Sequence, residues 1–186
     1  MHLILFLMMD QSTSNFELRA SGVFVLRASI LVNAPIDRCF LLSTSVAIVQ
    51  EELGMKPVEG RTAGLVQPGD LIRWEGWQLG LRHYHVSRIS SYCRPTYLQD
   101  RMVAGRFAYF EHDHHFHATG AATLLQDELR FSMPAGPLGL VVGRLVMVPH
   151  IRGLMRRRFL KLKGIAETNR WHEYLDQDAV SAGASS

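Results

Sequence analysis

The feature that most constrains the fold of this chain is a stretch of about seventy residues in which apolar and polar side chains alternate. It divides into five segments, near residues 70–76, 81–89, 96–104, 108–117 and 122–132, which are separated by turn residues. A period of two is typical of β-strands whose two faces meet different surroundings. Because the connections are too short to contain crossover helices, we predict that these strands run antiparallel.

A further strand and two short helices precede this stretch. In residues 23–32 the apolar positions alternate, which predicts a strand with one buried face. The sequence NAPIDRCF then begins a helix, in which Asn33 can serve as the cap and Pro35 suits the first turn. A polar break at residues 43–45 is followed by a second short helix, which Gly54 ends.

A long helix follows the alternating stretch. From Gly136 to about residue 175, apolar residues recur at intervals of three and four, the spacing of a helix with one buried face. Pro149 lies inside this segment and is expected to interrupt it. The apolar residues predicted to face the sheet include Leu145, Met155, Phe159 and Leu162.

The length and composition suit one domain with a sizeable core, since the 186 residues are 47% hydrophobic and 20% charged. We assign residues 16–176 to this domain, residues 1–15 to a flexible leader and residues 177–186 to a disordered tail. The apolar run from Leu3 to Met9 is too short to span a bilayer, so no stable membrane insertion is expected.

Charge and cysteine content argue against several classes of protein. The net charge of +3 comes largely from residues 156–163, and such a run is typical of a solvated helix face rather than of nucleic-acid binding. Cys39 and Cys93 lack the spacing of a zinc or redox motif, so the reducing cytoplasm is the expected compartment. The sequence also lacks the glycine motifs of nucleotide-binding proteins and the nucleophile motif of hydrolases.

Several local motifs resemble those of one known superfamily. After the first strand, an APxDxxF pattern is formed by Ala34, Pro35, Asp37 and Phe40. GDLIRW, DRMVAGRF with HDHHF, the TxLxD of residues 123–127, and MPAGPLG before the last helix follow in order. In this order the motifs resemble the SRPBCC superfamily, which includes START lipid-transfer domains, the birch-pollen allergen and polyketide cyclases, over roughly residues 22–170.

The resemblance implies an α+β helix-grip fold. In this fold a curved antiparallel sheet, here of six to seven strands, wraps around the long C-terminal helix, and an apolar cavity lies between them. Two short helices follow the first strand. The superfamily contains carriers, ligand sensors and cyclases, so the fold by itself does not define a chemistry.

The segment FEHDHHFH, residues 110–117, contains four of the nine histidines. Alternate side chains of a strand point to opposite faces, so Phe110, His112, His114 and Phe116 share one face. The phenylalanines mark it as the inner face. The opposite face is expected to meet solvent and carries Glu111, Asp113, His115 and His117.

The positions of the loops predict how the strands align. A turn near Gly105 places Asp100 across from His112, and Met102 across from Phe110. A turn at residues 119–120 places His112 across from Asp127, and His114 across from Leu125. The other loops pair Ser87 with Asp100, Trp74 with His83, and Ile72 with His85. The result is a row of Ser87, Asp100, His112 and Asp127 across the concave face.

This row is chemically suggestive, because a histidine between two carboxylates gains attraction for its charged form. The pKa of His112 is therefore expected above its free value of about 6.5. Asp100, His112 and Asp127 are candidate catalytic residues, since His112 could polarise a ligand carbonyl or act as a general base. An internal hydrogen-bond network that fixes the strand register is the simpler interpretation of the same row.

The histidines do not predict a metal site. His112 and His114 offer two nitrogens on the inner face, while His83 and His85 on a neighbouring hairpin are not fixed by spacing. A structural zinc site needs four protein ligands and a catalytic one usually three. We therefore expect neither a metal nor another cofactor.

Three functional hypotheses follow. The first is binding of a small hydrophobic or amphiphilic ligand, lipid-like or polyketide-like, between the sheet and the C-terminal helix. The alternatives are a cyclase-like or dehydratase-like enzyme that uses the Asp–His–Asp row, and a protein-interaction module that acts through the basic helix. No nucleic-acid partner is expected, and a homodimer is left open. The residues expected to line the ligand site are Ile72, Trp74, His83, His85, Ser87, Asp100, Met102, Phe110, His112, His114, Leu125, Asp127, Leu129, Met155 and Phe159.

Overall fold

The computed structural model describes residues 13–175 and contains an eight-stranded antiparallel sheet. The strand order is β1-β2-β8-β7-β6-β5-β4-β3, so the sheet follows the chain except where β8 returns beside β2. The strands are β1 (Thr13–Leu18), β2 (Phe24–Val32), β3 (Met55–Gly60), β4 (Leu71–Gln78), β5 (Leu81–Cys93), β6 (Tyr97–Ala104), β7 (Tyr109–Thr119) and β8 (Ala122–Ser132).

The two edge strands, β1 and β3, are absent from the sequence prediction of six to seven strands. β1 is largely exposed, and β3 contains Pro57 beside a register irregularity, so neither shows a clear alternation. Residues 13–15, which we assigned to a flexible leader, belong to β1. The rest of that leader, and the predicted tail, lie outside the described residues.

Two short helices follow β2, as predicted: α1 (Ile36–Ser43) and α2 (Val46–Leu53). Pro35, not Asn33, occupies the N-cap position of α1, and no side-chain cap is formed. The backbone N–H of Asn33 instead donates to Glu167 near the C-terminal end of the chain. Gly54 ends α2 in the left-handed conformation, with φ of 62°.

The long helical segment contains α3 (Gly136–Val142), a π-helical turn (Gly143–Met147) and α4 (Val148–Ala166), followed by a 3₁₀ turn (Asn169–Trp171). The π turn ends two residues before Pro149, which cannot donate a backbone hydrogen bond. The extra residue in this turn shifts the phase of the helix. Leu145 is consequently 68% exposed and does not face the sheet, contrary to the prediction.

The remaining residues predicted to face the sheet are buried. Met155, Phe159 and Leu162 are at most 3% exposed, and α4 packs against β2, α1 and α2. By length and composition, residues 136–166 form one helix apolar enough to cross a membrane. The buried face of α4 lies against the sheet, so α4 is the core helix of a helix-grip fold. Most apolar residues of α3 and the π turn are instead exposed, among them Leu138 and Val141.

Candidate functional site

Four ionisable side chains meet on the concave face of the sheet: Asp100 from β6, His112 and His114 from β7, and Asp127 from β8. His114 Nδ1 lies 2.9 Å from Asp127 Oδ1, and His112 Nε2 lies 3.2 Å from Asp127 Oδ2. The other ring nitrogens approach Asp100 Oδ2, at 3.5 Å from His114 Nε2 and 3.9 Å from His112 Nδ1. Both imidazoles therefore lie between the two carboxylates.

The strand faces that bring these residues together agree with the prediction, but most of the predicted pairs do not. Asp100 pairs with His112 as expected. His114, not His112, lies across from Asp127, because the β7–β8 turn consists of residues 120–121 instead of 119–120. A shift of two residues moves each partner along its strand and leaves it on the same face.

Two other predicted alignments are wrong by the same shift of two. The structure pairs Asp100 with Ile89, and Ser87 with Met102, so Ser87 is not beside Asp100. It also pairs Trp74 with His85 instead of the predicted His83. Ile72 pairs with Ser87 instead of the predicted His85. Ser87 instead accepts a hydrogen bond from the Trp74 indole at 3.3 Å. The predicted four-membered row is thus replaced by a compact cluster of two histidines and two aspartates.

The sequence prediction missed two further ionisable members of the cluster, Arg158 of α4 and Glu52 of α2. Arg158 Nη1 lies 3.4 Å from Asp127 Oδ2, and its Nε lies 3.6 Å from Glu52 Oε2. Both side chains are buried, with exposed fractions of 10% and 6%. Spacing could have identified Arg158, because it lies three residues after Met155 and four before Leu162 on the buried helix face.

This arrangement corrects our interpretation of the basic run. Arg156 and Arg157 are exposed, as a solvated helix face requires, but Arg158 points into the core. Lys161 forms an ion pair with Glu51, and Lys163 forms one with Glu167. The basic face available to a partner is therefore smaller than the sequence indicated.

The electrostatics of the cluster depend on how each charge is compensated. Burial opposes ionisation of Asp127, but His114, Arg158 and His112 outweigh it and hold its pKa well below the usual value. Burial also opposes charge on His114, yet the adjacent Asp127 and Asp100 raise its pKa. Glu52 is the exception: burial raises its pKa to about 7 despite the nearby Arg158.

The expected rise in the pKa of His112 is wrong in direction. Burial, together with repulsion from His114, lowers the pKa of His112 against the attraction of Asp127 and Asp100. The two imidazole rings are only 3.9 Å apart between centroids, so charge on one disfavours charge on the other. His112 Nε2 is buried and has no hydrogen-bond partner of good geometry among the described residues.

The other residues predicted to line a ligand site divide into two groups. Ile72, Trp74, Ser87, Leu125, Leu129, Met155 and Phe159 are buried in the core. His83, His85, Met102 and Phe110, on β5, β6 and β7, retain partial exposure. The concave face is therefore closed beneath α4 and more accessible towards β5 and β6.

A cavity of about 660 Å³ lies at the connection between β6 and β7, lined by residues 101–105 and 107–111. The pairing of these two strands stops at Arg101 and Glu111, so they separate beyond that point. A second cavity of about 650 Å³ is lined by residues 68–69, 88–92 and 101–103. Neither is lined by α4, where the sequence analysis placed one wall of the ligand site.

The outer face of β7 also differs from the expectation. His117 is exposed and His115 is half-buried, but Glu111 and Asp113 are only 4% and 5% exposed. Asp113 accepts hydrogen bonds from Tyr97 and Gln99 and forms an ion pair with Arg130. Long cross-strand neighbours thus bury these acids on the outer face.

The cluster also bears on metal binding. Ligand atoms of Asp100, His112 and His114 all lie within 4.8 Å of one another. We expected no metal from the sequence, because the spacing of its residues identifies no third ligand beside the two histidines. The structure places the carboxylate of Asp100 in that position.

Comparison with known proteins supports the fold assignment. An aromatase/cyclase from Streptomyces sp. R1128, Zhui, aligns with a TM-score of 0.64 at 15% identity, over 78% of this chain and 94% of that one. The di-domain aromatase/cyclase BexL of the BE-7585A biosynthetic pathway aligns with a TM-score of 0.65 at 15% identity, over 81% of this chain and 52% of that one. A START superfamily protein from Mycobacterium smegmatis aligns with a TM-score of 0.52 at 16% identity, over 74% of this chain and 98% of that one.

The chain therefore has an α+β helix-grip fold. This is the fold of the SRPBCC proteins that its motifs resemble, and the likeness at these identities concerns the fold alone. No family model matches the sequence, and the search of curated proteins found no match either.

Proposed function

We propose that this protein binds one small amphiphilic molecule on the accessible part of its concave face. The observation that carries the proposal is the position of partly exposed Met102, Phe110 and His85 next to the buried Asp–His cluster. Such a site offers apolar contact to the body of a ligand and a few fixed polar groups to its head.

The apolar part of the site is formed by side chains that carry no charge at neutral pH. Burial lowers the pKa of His85 to about 4, so its imidazole is neutral. The ring lies edge-on to Phe110, with centroids 5.2 Å apart, and Phe107 lies 5.1 Å from the same phenylalanine. Together with Met102, a flexible side chain that adapts to irregular shapes, these rings would contact a hydrocarbon or polyketide-like body.

The polar part is provided by Asp100 and His112. The side chain of Asp100 is 23% exposed, whereas that of Asp127 is 2% exposed, so Asp100 lies on the accessible side of the cluster. A hydroxyl group of the ligand could donate to Asp100, and a carbonyl could accept from His112. The separation of β6 and β7 beside the 660 Å³ cavity provides a route to this position.

Binding can be tested with 1-anilinonaphthalene-8-sulfonate, a fluorescent molecule with apolar rings and one anionic group. We expect saturable binding with one molecule per chain. The Met102→Asp variant should weaken it at least roughly tenfold, because a carboxylate would replace an apolar contact. Leu71→Asp adds the same charge on another strand, at a residue 39% exposed, and should leave the affinity unchanged. Absence of saturable binding, or equal affinities in the two variants, would contradict the proposal.

A cyclase-like activity is the second candidate, and one specific observation favours it. His112 Nε2 is buried without a well-aligned hydrogen-bond partner among the described residues, a feature that deserves explanation in a folded protein. A substrate carbonyl could accept a hydrogen bond from His112 and be polarised by it. Incubation with a synthetic poly-β-keto thioester should yield a cyclised product by mass spectrometry. Equal product formation by the wild type and a folded His112→Ala variant would exclude this role.

A further inference from the structure

We propose that Asp100, His112 and His114 form a binding site for a divalent transition-metal ion, for which Zn²⁺ is the test ion. The inference goes beyond the proposed function, because the metal would bind without any organic ligand. It rests on the positions of the ligand atoms, on the partners of the remaining ring nitrogens, and on the location of Arg158.

Two of the three spacings between the ligand atoms are close to those of a metal site, and all three atoms lie within 4.8 Å of one another. His114 Nε2 and His112 Nδ1 lie 3.5 and 3.9 Å from the same carboxylate oxygen, Asp100 Oδ2. Ligands at zinc bond lengths in a tetrahedron are about 3.3–3.4 Å apart. Small side-chain rotations would therefore bring the three atoms to bonding distance of one ion.

The other nitrogen of each ring is directed towards Asp127, at 2.9 Å for His114 Nδ1 and 3.2 Å for His112 Nε2. In protein metal sites a ligating histidine commonly donates its remaining N–H to a carboxylate, which fixes the tautomer and the ring orientation. Asp127 already makes this hydrogen bond with His114 Nδ1, and a small rotation of the His112 ring would align His112 Nε2 with the same carboxylate. Asp127 is thus a positioning residue, and it does not contact the ion.

Arg158 determines on which side of the rings an ion would bind. Its guanidinium lies 3.4 Å from Asp127 Oδ2, so a second cation beside Asp127 would be repelled at short range. Within residues 13–175, no lysine or arginine lies within ion-pair distance of Asp100, whose only such partners are the two histidines. Its partial exposure also provides access for the ion and space for a water molecule as a fourth ligand.

The set of ligands favours some metals over others. Imidazole nitrogens suit zinc, iron, nickel and copper, whereas calcium and magnesium prefer oxygen ligands throughout. Two histidines and one carboxylate with an open position are found both in catalytic zinc sites and in non-haem iron(II) sites. We therefore assign the site to this group of ions and exclude Mg²⁺ and Ca²⁺ as its preferred occupants.

The outer face of β7 provides a matched control. His115 and His117 have the same two-residue spacing on the same strand, with ring centroids 6.3 Å apart, but they lie on the opposite face. In the part of the chain that the structure describes, no carboxylate lies within ion-pair distance of either outer ring, whereas both inner rings have such partners. If two neighbouring histidines were sufficient, the outer pair would bind metal as well as the inner one.

The experiment is equilibrium dialysis of the untagged protein against ZnCl₂, with bound metal measured by elemental mass spectrometry, and a parallel Co²⁺ titration followed by visible absorption. We expect one ion per chain. Asp127→Asn should weaken binding roughly 10- to 100-fold, as loss of such a carboxylate does in known sites. Asp100→Asn and His114→Ala should weaken it further, while the double substitution His115→Ala, His117→Ala should leave it unchanged.

Circular dichroism identifies variants that fail to fold. If His114→Ala does not fold, Asp100→Asn keeps the test valid, because this substitution changes the shape of the side chain least. Loss of binding in Asp100→Asn, with retention in the outer-face variant, supports the site. No stoichiometric metal in the wild type, unchanged affinity in folded Asp100→Asn, or loss of binding in the outer-face variant would overturn it. None of these results depends on binding of the fluorescent probe.

Discussion

The buried carboxyl group of Glu52 leads to a quantitative prediction about stability and pH. Burial raises its pKa from 4.5 to about 7 in the folded protein. Each unit of difference between the folded and unfolded states is equivalent to about 1.4 kcal/mol, so Glu52 should change the free energy of unfolding by about 3 kcal/mol across this range. Glu52→Gln removes this titration.

The sign follows from proton binding. Between pH 4.5 and about 7 the folded protein retains a proton that the unfolded chain has released. The contribution of Glu52 to stability is therefore fully present below pH 4.5 and is lost as pH rises through about 7. Relative to the wild type, Glu52→Gln should become progressively more stable over this interval, by up to about 3 kcal/mol, with no further change above it.

Urea unfolding of both proteins at a series of pH values between 4.5 and 8 measures this difference. Glu51→Gln is the matched control, because a hydrogen bond from Lys161 lowers the pKa of Glu51. Its contribution is present above its unfolded pKa and lost as pH falls, so the control should not gain stability as pH rises. A pH-independent difference between Glu52→Gln and the wild type would refute the reasoning.

Three further predictions concern the helices. Phe159→Ala, at a fully buried ring, should cost about 3–5 kcal/mol in urea unfolding, whereas Leu145→Ala, at the π turn, should change stability by about 0.5 kcal/mol or less. Arg158→Ala should cost about 3–5 kcal/mol, because it leaves Asp127 with one fewer compensating charge, and exposed Arg157→Ala should be near neutral by thermal unfolding. Gly143→Ala should destabilise the protein by about 1–3 kcal/mol, because the added Cβ would overlap the Phe24 ring. Gly164→Ala should stabilise it by about 0.4–1 kcal/mol, because its Cβ would meet no atom within 4 Å. Equal effects of the two substitutions would refute this packing.

The sequence predicted which face each residue occupies better than which neighbour it meets. Alternation placed Phe110, His112, His114 and Phe116 on the inner face, where the structure has them, because parity along a strand depends only on the local backbone. The predicted pairing of His112 with Asp127 was wrong, because strand register depends on which residues form the turn. A turn displaced by one residue shifts the register by two and preserves the face.

Other features of the site depend on contacts that no local pattern contains. The burial of Glu111 and Asp113 results from long side chains on adjacent strands, and that of Glu52 results from the packing of α2 against α4. The exposure of Leu145 follows from a π turn that helical periodicity does not include. The direction of the pKa shift of His112 could not be predicted from its two carboxylate partners, because it depends first on how deeply the ring is buried and then on the neighbouring His114 ring.

The central claim, that the concave face binds one small amphiphilic molecule, is tested most directly by native mass spectrometry of the protein purified under non-denaturing conditions. The account predicts that the wild type and Leu71→Asp retain one small molecule per chain, released on denaturation, and that folded Met102→Asp retains none. A wild-type spectrum without any adduct, even after incubation with excess 1-anilinonaphthalene-8-sulfonate, or the same adduct in all three proteins, would contradict it.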